Sequence, residues 1–287
     1  MKKFLLKVIC MSFPLVAIVY SKPIYLLVTE KYKSQVAGSY IYKAIEKSKT
    51  KEPYRKLVIG DSVGRQLFPN SDEYANFNSL CTNQAVSMCG QYLLLNNYIN
   101  AGNKIDTLYL LFNPTSFSNN LNQVYTFHYF LKPFNRAEYQ SEFTSLVKEQ
   151  IANIPYTFLV REPYVLTSNW APDYRPAVTS QPAKTGPVSL LSPVSIEYLK
   201  KIKNLAGKHD FQIVVIPTPT SLKYKERVAN CNKAQIDSNG LNQMFEQYFE
   251  NIIYLDESLF SDGIHLFRPQ DYTERYLNEW FKYQGVL

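Results

Sequence analysis

Three short apolar runs punctuate the chain. Leu57-Val58-Ile59 stops at Gly60, Thr107 to Phe112 stops at Asn113-Pro114, and Gln212 to Ile216 stops at Pro217-Thr218-Pro219. Runs of this length bounded by turn residues predict buried strands. Residues 76–82 are expected to add a strand, and Ile252 to Leu255 another. Between them the period changes. From about Ser87 to Ile99, Tyr92, Leu95 and Tyr98 return at helical spacing. From Ser195 to His209, Ile196, Leu199, Ile202 and Leu205 share one helix face while Lys200, Lys201 and Lys203 are expected to face out. Leu241 to Glu250 and Gln270 to Tyr283 are read as two more helices. Strands alternating with helices indicate an α/β fold with a mainly parallel sheet.

Two regions depart from that alternation. Residues 121–190 hold seven of the sixteen prolines and many aromatic side chains. An irregular insertion of this size is expected either to shape a substrate site, as a lid, or to cover a sheet edge. Pro172 to Pro193 in particular reads as a long loop. The other region is the start of the chain. Lys2, Lys3 and Lys7 are followed by fourteen uncharged residues, Val8 to Ser21, and after Lys22-Pro23 by Ile24 to Val28. A basic start with a short apolar run resembles a secretory signal. The run is shorter than the ~20 residues of a spanning helix, and no small-x-small cleavage site stands out. Residues 1–30 are therefore expected to be an uncleaved membrane anchor, with a removed signal or a buried helix as alternatives. Residues 31–53, polar and Lys-rich, read as a stalk or a first surface helix. Residues 54–287 then form the folded domain, exposed outside the cytoplasm or secreted.

Composition narrows the function classes. Of 287 residues, 46% are hydrophobic and 19% charged, which fits a folded chain with a core large enough to keep water from a site. The net charge of +7 is scattered, without basic runs, zinc-finger spacing or an RNA-binding aromatic signature, so nucleic acid is not an expected partner. A basic surface could still favour an anionic membrane or an acidic polysaccharide. Beyond Cys10, three cysteines remain (Cys81, Cys89, Cys231), so at most one disulfide could form within the domain. With no C-x-x-C and three scattered histidines, no metal site or cofactor is expected.

In doubly wound sheets ligands bind beyond the carboxyl ends of the strands. The first strand exits as Gly60-Asp61-Ser62-Val63-Gly64, a tight turn that presents a serine hydroxyl at the mouth of the sheet. Helical N–H groups after Ser62 could hold an oxyanion there. Serine needs a base before it attacks, and imidazole suits that task when a carboxylate fixes its tautomer. Phe260-Ser261-Asp262-Gly263-Ile264-His265 supplies both from one loop after the last expected strand.

Together, Gly-Asp-Ser near the start and Asp-x-x-His near the end resemble the SGNH/GDSL hydrolase superfamily, over about residues 55–120 and 190–285. The resemblance implies a flavodoxin-like three-layer α/β/α sandwich with Ser62 as nucleophile, His265 as base and Asp262 as its orienting carboxylate. It also implies oxyanion donors at Ser62, Ala85 and Asn113. Ala85 stands where the family has Gly, and Asn113 lacks its usual Gly and Asp neighbours, reading Leu111-Phe112-Asn113-Pro114. Asn113 could equally cap the strand exit. The expected activity is an esterase or deacylase acting through an acyl-Ser62 intermediate. Its expected substrate is an acylated carbohydrate or lipid of the cell envelope. An O-acyltransferase using the same triad and a non-catalytic glycan-binding assembly protein are the alternatives.

Overall fold

A computed structural model describes residues 2–19, 38–123, 125–154, 189–231 and 233–281. In chain order its principal elements are α1 (Lys2–Val19), α2 (Ser39–Ser48), β1 (Lys56–Gly60), α3 (Ser62–Leu67), β2 (Asn78–Ser79), α4 (Ser87–Asn100) and β3 (Thr107–Phe112). They continue as α5 (Ser145–Ala152), α6 (Pro193–His209), β4 (Gln212–Pro217), β5 (Thr220–Ser221), β6 (Tyr254–Leu255) and α7 (Gln270–Tyr276). The main sheet is parallel, in the order β2-β1-β3-β4. Leu57 pairs with Leu108, and Leu108 with Ile213.

Side chains on a strand alternate between faces, and here each face meets its own apolar layer. Leu57, Ile59, Leu108, Leu110 and Phe112 pack with the α2, α4 and α6 side chains Ile41, Leu93 and Ile202. Val58, Tyr109, Leu111 and Ile216 pack on the other face with Val63 and Leu67 of α3 and Tyr276 of α7. Burial on both faces is why β1 and β3 read as apolar runs. The result is a parallel-sheet α/β fold, as the sequence pattern predicts, consistent with the flavodoxin-like α/β/α sandwich that the resemblance implies.

Several elements differ from expectation. Of residues 76–82, Asn78 and Ser79 form the short strand β2, while the Leu80 and Thr82 N–H groups also donate to the Val58 and Gly60 carbonyls of β1, both at 2.8 Å. Within the segment read as a stalk or surface helix, α2 buries Ile41, Ala44 and Ile45, so residues 39–48 belong to the domain core rather than to a stalk. Helix α6 begins at Pro193, two residues early, because the Ser192 hydroxyl accepts from the Ser195 N–H and proline tolerates the first turn. Lys201 does not face out. Its ammonium lies 3.1 Å from Glu142 Oε2 and 4.4 Å from the centre of the Tyr92 ring, its stem covering apolar surface.

The expected helix 241–250 shrinks to Asn242–Phe245. The tight turns that follow turn Tyr248 fully inward, where its hydroxyl donates to the Phe112 carbonyl at 2.7 Å. The strand expected at 252–255 reaches only β5 and forms a separate two-stranded sheet. Pro217 and Pro219 lack N–H groups, which interrupts the ladder between β4 and β5.

The first part of the segment expected to be irregular, residues 125–154, carries short helical turns and α5. Phe127, Phe130, Phe134, Tyr139 and Phe143 are all buried in the main core. Gly90 of α4 admits the Phe134 ring, since a Cβ there would stand 3.2 Å from it. The remainder, 155–188, including most of the expected Pro172 to Pro193 loop, lies outside the described residues, as do 20–37 of the N-terminal region. Among the described residues, no helix is long and apolar enough to cross a membrane.

Candidate active site

Because β1, β3 and β4 are parallel, their exits share one edge of the sheet. At the β1 exit, Gly60 lies so close to β3 that a Cβ would stand 2.7 Å from the Leu111 carbonyl oxygen and 2.9 Å from Cys81 Sγ. Asp61 then caps α3. Its Oδ1 accepts from the N–H groups of Val63 at 2.9 Å and Gly64 at 3.0 Å. Its Oδ2 accepts from the Asn113 N–H at 2.7 Å and the Ser116 hydroxyl at 2.6 Å. One buried carboxylate thus joins the turn after β1 to the turn after β3. Burial pushes the Asp61 carboxyl above its ordinary range, against the pull of these four donors. The cap takes the second and third N–H groups of α3 and leaves the first, that of Ser62, outside it. Ser62 is itself buried, at 3% exposure.

Asp262 and His265 sit on a loop closed by an antiparallel bridge between Phe260 and Leu266. Both bridge residues are buried against the apolar layer that contains Val63 and Leu67. Gly263 turns the loop at φ +80°, a left-handed conformation suited to glycine. Asp262 Oδ1 accepts from the N–H groups of Ile264 at 3.0 Å and His265 at 2.8 Å. Its Oδ2 lies 2.7 Å from His265 Nδ1. An ionised carboxylate can only accept, so this contact puts a hydrogen on Nδ1 and leaves the Nε2 lone pair of the neutral ring available. Partial burial works against the Asp262 charge, but the His265 N–H, its imidazole and the Ile264 N–H together hold the carboxyl down to about 2.

The structure thus brings Asp262 and His265 into direct contact. Among the described residues, no hydrogen bond joins Ser62 to His265. The link between them runs instead through Gln66, one turn along α3. Gln66 Oε1 accepts from the Leu266 N–H and its Nε2 donates to the Leu266 carbonyl, both at 3.0 Å.

The other two expected donors are already engaged. The Ala85 N–H donates to Asn83 Oδ1 at 2.8 Å. Asn113 Oδ1 accepts from the Thr115 N–H at 3.1 Å and its hydroxyl at 2.8 Å, capping the 3-10 turn Pro114–Ser118. Asn113 Nδ2 donates one hydrogen to Thr220 Oγ1 at 3.2 Å. Its second amide hydrogen is the one an oxyanion could take.

Sequence reasoning assigned no role to Asp61 or Gln66. An acidic residue before a helix is a capping signal, which could have marked Asp61. Gln66 leaves no local signal, because its partner lies 200 residues away. All four cysteines are free, and burial pushes the Cys81 thiol up to about 12. Among the described residues, no group of three or more His, Cys, Asp or Glu side chains gathers into a metal-binding cluster.

No protein-family profile matches the chain. No curated protein matches it either. Among solved structures, it is similar to a protein described as "a putative platelet activating factor from Streptococcus pneumonia", at 13% identity and a TM-score of 0.34, covering 91% of this chain and 99% of that one. A likeness at that score supports no functional conclusion.

Proposed function

We propose that this chain is a serine hydrolase of the SGNH/GDSL type that cleaves an acyl ester through an acyl-Ser62 intermediate. The observation that carries the reading is the Asp262–His265 pair. A carboxylate held by two backbone N–H groups meets Nδ1 at 2.7 Å, on a loop packed against the helix that Ser62 begins. Such a pair fixes the imidazole tautomer and stabilises the imidazolium that forms when the ring takes a proton.

In the proposed cycle, His265 Nε2 removes the Ser62 hydroxyl proton as Oγ attacks the ester carbonyl. The Ser62 N–H, which Asp61 leaves uncapped, and the second Asn113 amide hydrogen receive the oxyanion. Collapse of the tetrahedral intermediate expels the alcohol, which takes the proton from His265. Water, deprotonated by the same nitrogen, then releases the acid. In this scheme Ala85 contributes only if its N–H leaves Asn83.

The proposed substrate is an acylated carbohydrate or lipid at the cell envelope, with α1 as the membrane-associated segment. Support for the latter comes from the exposed Phe4, Leu5, Leu6, Ile9, Met11 and Phe13 on that helix, an apolar surface larger than scattered single residues would give. The test is labelling by a fluorophosphonate probe, with hydrolysis of a chromogenic acyl ester in parallel. Wild type is expected to label and turn over, while Ser62→Ala and His265→Ala do neither. Labelling that survives Ser62→Ala would refute the assignment.

A further inference from the structure

We propose that Gln66 is a positioning residue that holds the His265 loop in register with Ser62; the proposal rests on the reading of Ser62 and His265 given above. Ser62 and Gln66 are four residues apart on α3 and so lie on neighbouring turns of one helix face. The primary amide of Gln66 donates to and accepts from the backbone of the same residue, Leu266, with both bonds at 3.0 Å. A side-chain amide can do this because it carries a donor and an acceptor side by side. Paired this way, Gln66 fixes both peptide planes that flank Leu266, and the first of these is the peptide joining His265 to Leu266.

The rest of the loop cannot supply that register. Asp262 is exposed and the His265 side chain is one-third exposed, at 34%. The His265 carbonyl is bonded within the loop, accepting from the Ser261 N–H at 2.8 Å and hydroxyl at 3.2 Å. The Asp262 carboxylate is likewise occupied within the loop. These bonds shape the loop but do not tie it to α3. Phe260 and Leu266 bury their side chains near Val63 and Leu67, and apolar contact of that kind is non-directional and tolerates sliding. Among the described residues, the Gln66 pair is the directional tie between the nucleophile's helix and the base's loop. A displacement of about 1 Å between nucleophile and base is enough to slow reaction about 10²-fold.

The test compares wild type with Gln66→Ala, Gln66→Met and Gln66→Glu, using the rate of Ser62-dependent fluorophosphonate labelling and the kcat and KM of ester hydrolysis. Ala and Met are expected to lower kcat and labelling about 10- to 100-fold, with KM within about 3-fold, because the loss falls on the reacting geometry. Met retains the length and apolar bulk of Gln, so a role in packing alone predicts that Met restores the rate. Glu keeps an acceptor for the Leu266 N–H but sets a carboxylate against the Leu266 carbonyl until it is protonated. The ratio of the Gln66→Glu rate to the wild-type rate is therefore expected to rise as pH falls, while the Gln66→Met ratio stays flat. Taking the ratio cancels the titration of His265 itself. Amide exchange at Leu266 should also quicken in the Ala and Met variants, which remove the acceptor of its N–H.

Wild-type kcat in Gln66→Met, or a loss confined to KM, would overturn the proposal while leaving Ser62 as nucleophile. If wild type itself shows no Ser62-dependent labelling, the nucleophile reading fails and the positioning role falls with it. Should Gln66→Ala not fold, the Met and Glu variants decide the question.

Discussion

Replacing Asp61 with asparagine changes one atom at the centre of the site, and the structure sets the size of the effect. Oδ1 keeps its two helix N–H groups, at 2.9 and 3.0 Å. On the other side, an NH₂ replaces the oxygen that accepts from the Asn113 N–H at 2.7 Å and from Ser116 at 2.6 Å. The Ser116 hydroxyl can rotate and accept instead. The backbone N–H of Asn113 cannot, and is left facing another donor inside the protein. A buried donor stranded in this way costs about 1–3 kcal/mol, and the charge-assisted bond that is lost was worth about 1.5–3. These two figures overlap, because they describe the same contact from two sides. An amide also escapes part of the desolvation cost that pushes the Asp61 carboxyl upward. The net expectation is a destabilisation of about 1–3 kcal/mol for Asp61→Asn.

Asp61→Ala should cost more, since it also removes the cap of α3, itself worth about 0.5–2 kcal/mol. Ser116→Ala should cost less, because it deletes a single donor. Urea unfolding midpoints, converted with a common slope, give the three values. The double variant of Asp61→Asn with Ser116→Ala should be less destabilised than the sum of its parts, because the residues share one contact. An Asp61→Asn midpoint within about 0.5 kcal/mol of wild type, the range of ordinary surface substitutions, would refute the view that this carboxylate ties the β1 and β3 exits together.

Asp262 makes acid stability a second test. Its folded carboxyl titrates at about 2 against 3.8 for an unperturbed one, so its contribution is fully present above about pH 4 and is lost as pH falls toward 2. Asp262→Asn should remove that part of the slope in an acid-unfolding series, and an unchanged profile would refute the pairing. Asn113→Ala is expected to lower kcat by roughly 10²–10³ if its amide serves the oxyanion, and to lower the melting midpoint because it also caps the turn and bonds Thr220; unchanged kcat in the purified variant would leave the oxyanion to backbone donors. Gly60→Ala should destabilise by about 1–3 kcal/mol through the clash with Leu111 and Cys81. Gly207→Ala, in α6 with nothing within 4 Å of the added carbon, should instead stabilise by about 0.5–1 kcal/mol. Equal effects at the two glycines, read from the same melts, would contradict the close packing at the β1 exit.

How much of this was legible in the sequence depended on whether a residue's reason for being there is local. β1 and β3 are buried on both faces and β4 over its second half, so each shows as an apolar run with turn residues after it. Helices α4 and α6 show their buried stripes at helical spacing. The pairing of Asp262 with His265 was legible for the same reason, since three residues and one glycine make the turn. What escaped was set by distant partners. Asn78 and Ser79 are polar, and pair with β1 because of where the chain after α3 runs. Helix α2 carries three charged residues in a Lys-rich stretch, yet Ile41, Ala44 and Ile45 suffice to bury one side of it. Lys201 looks like a surface residue until Glu142 and Tyr92 are placed beside it. The aromatic residues of 125–154 gave no strand or helix period, because they fill the core from short turns.

The same distinction separates the parts of the candidate site. A nucleophile near the start of the domain and a base near its end must meet within tenths of an ångström, yet a parallel sheet fixes only the edge at which they emerge. Two polar side chains narrow that placement. Asp61 binds the turn after β1 to the turn after β3 through four donors, and Gln66 binds α3 to the His265 loop through two bonds. Both begin on the eight residues from Gly60 to Leu67, so the segment that carries Ser62 also carries the fasteners that locate the proposed oxyanion donor at Asn113 and the proposed base at His265. On that view Asp61 is accounted for by the four donors it binds rather than by any contact with substrate. Loss of activity in Asp61→Asn should therefore track loss of stability, whereas loss of activity in Gln66→Met should appear in a protein that melts close to wild type. A Gln66→Met variant that loses activity only in proportion to its melting midpoint would place Gln66 beside Asp61 as part of the scaffold.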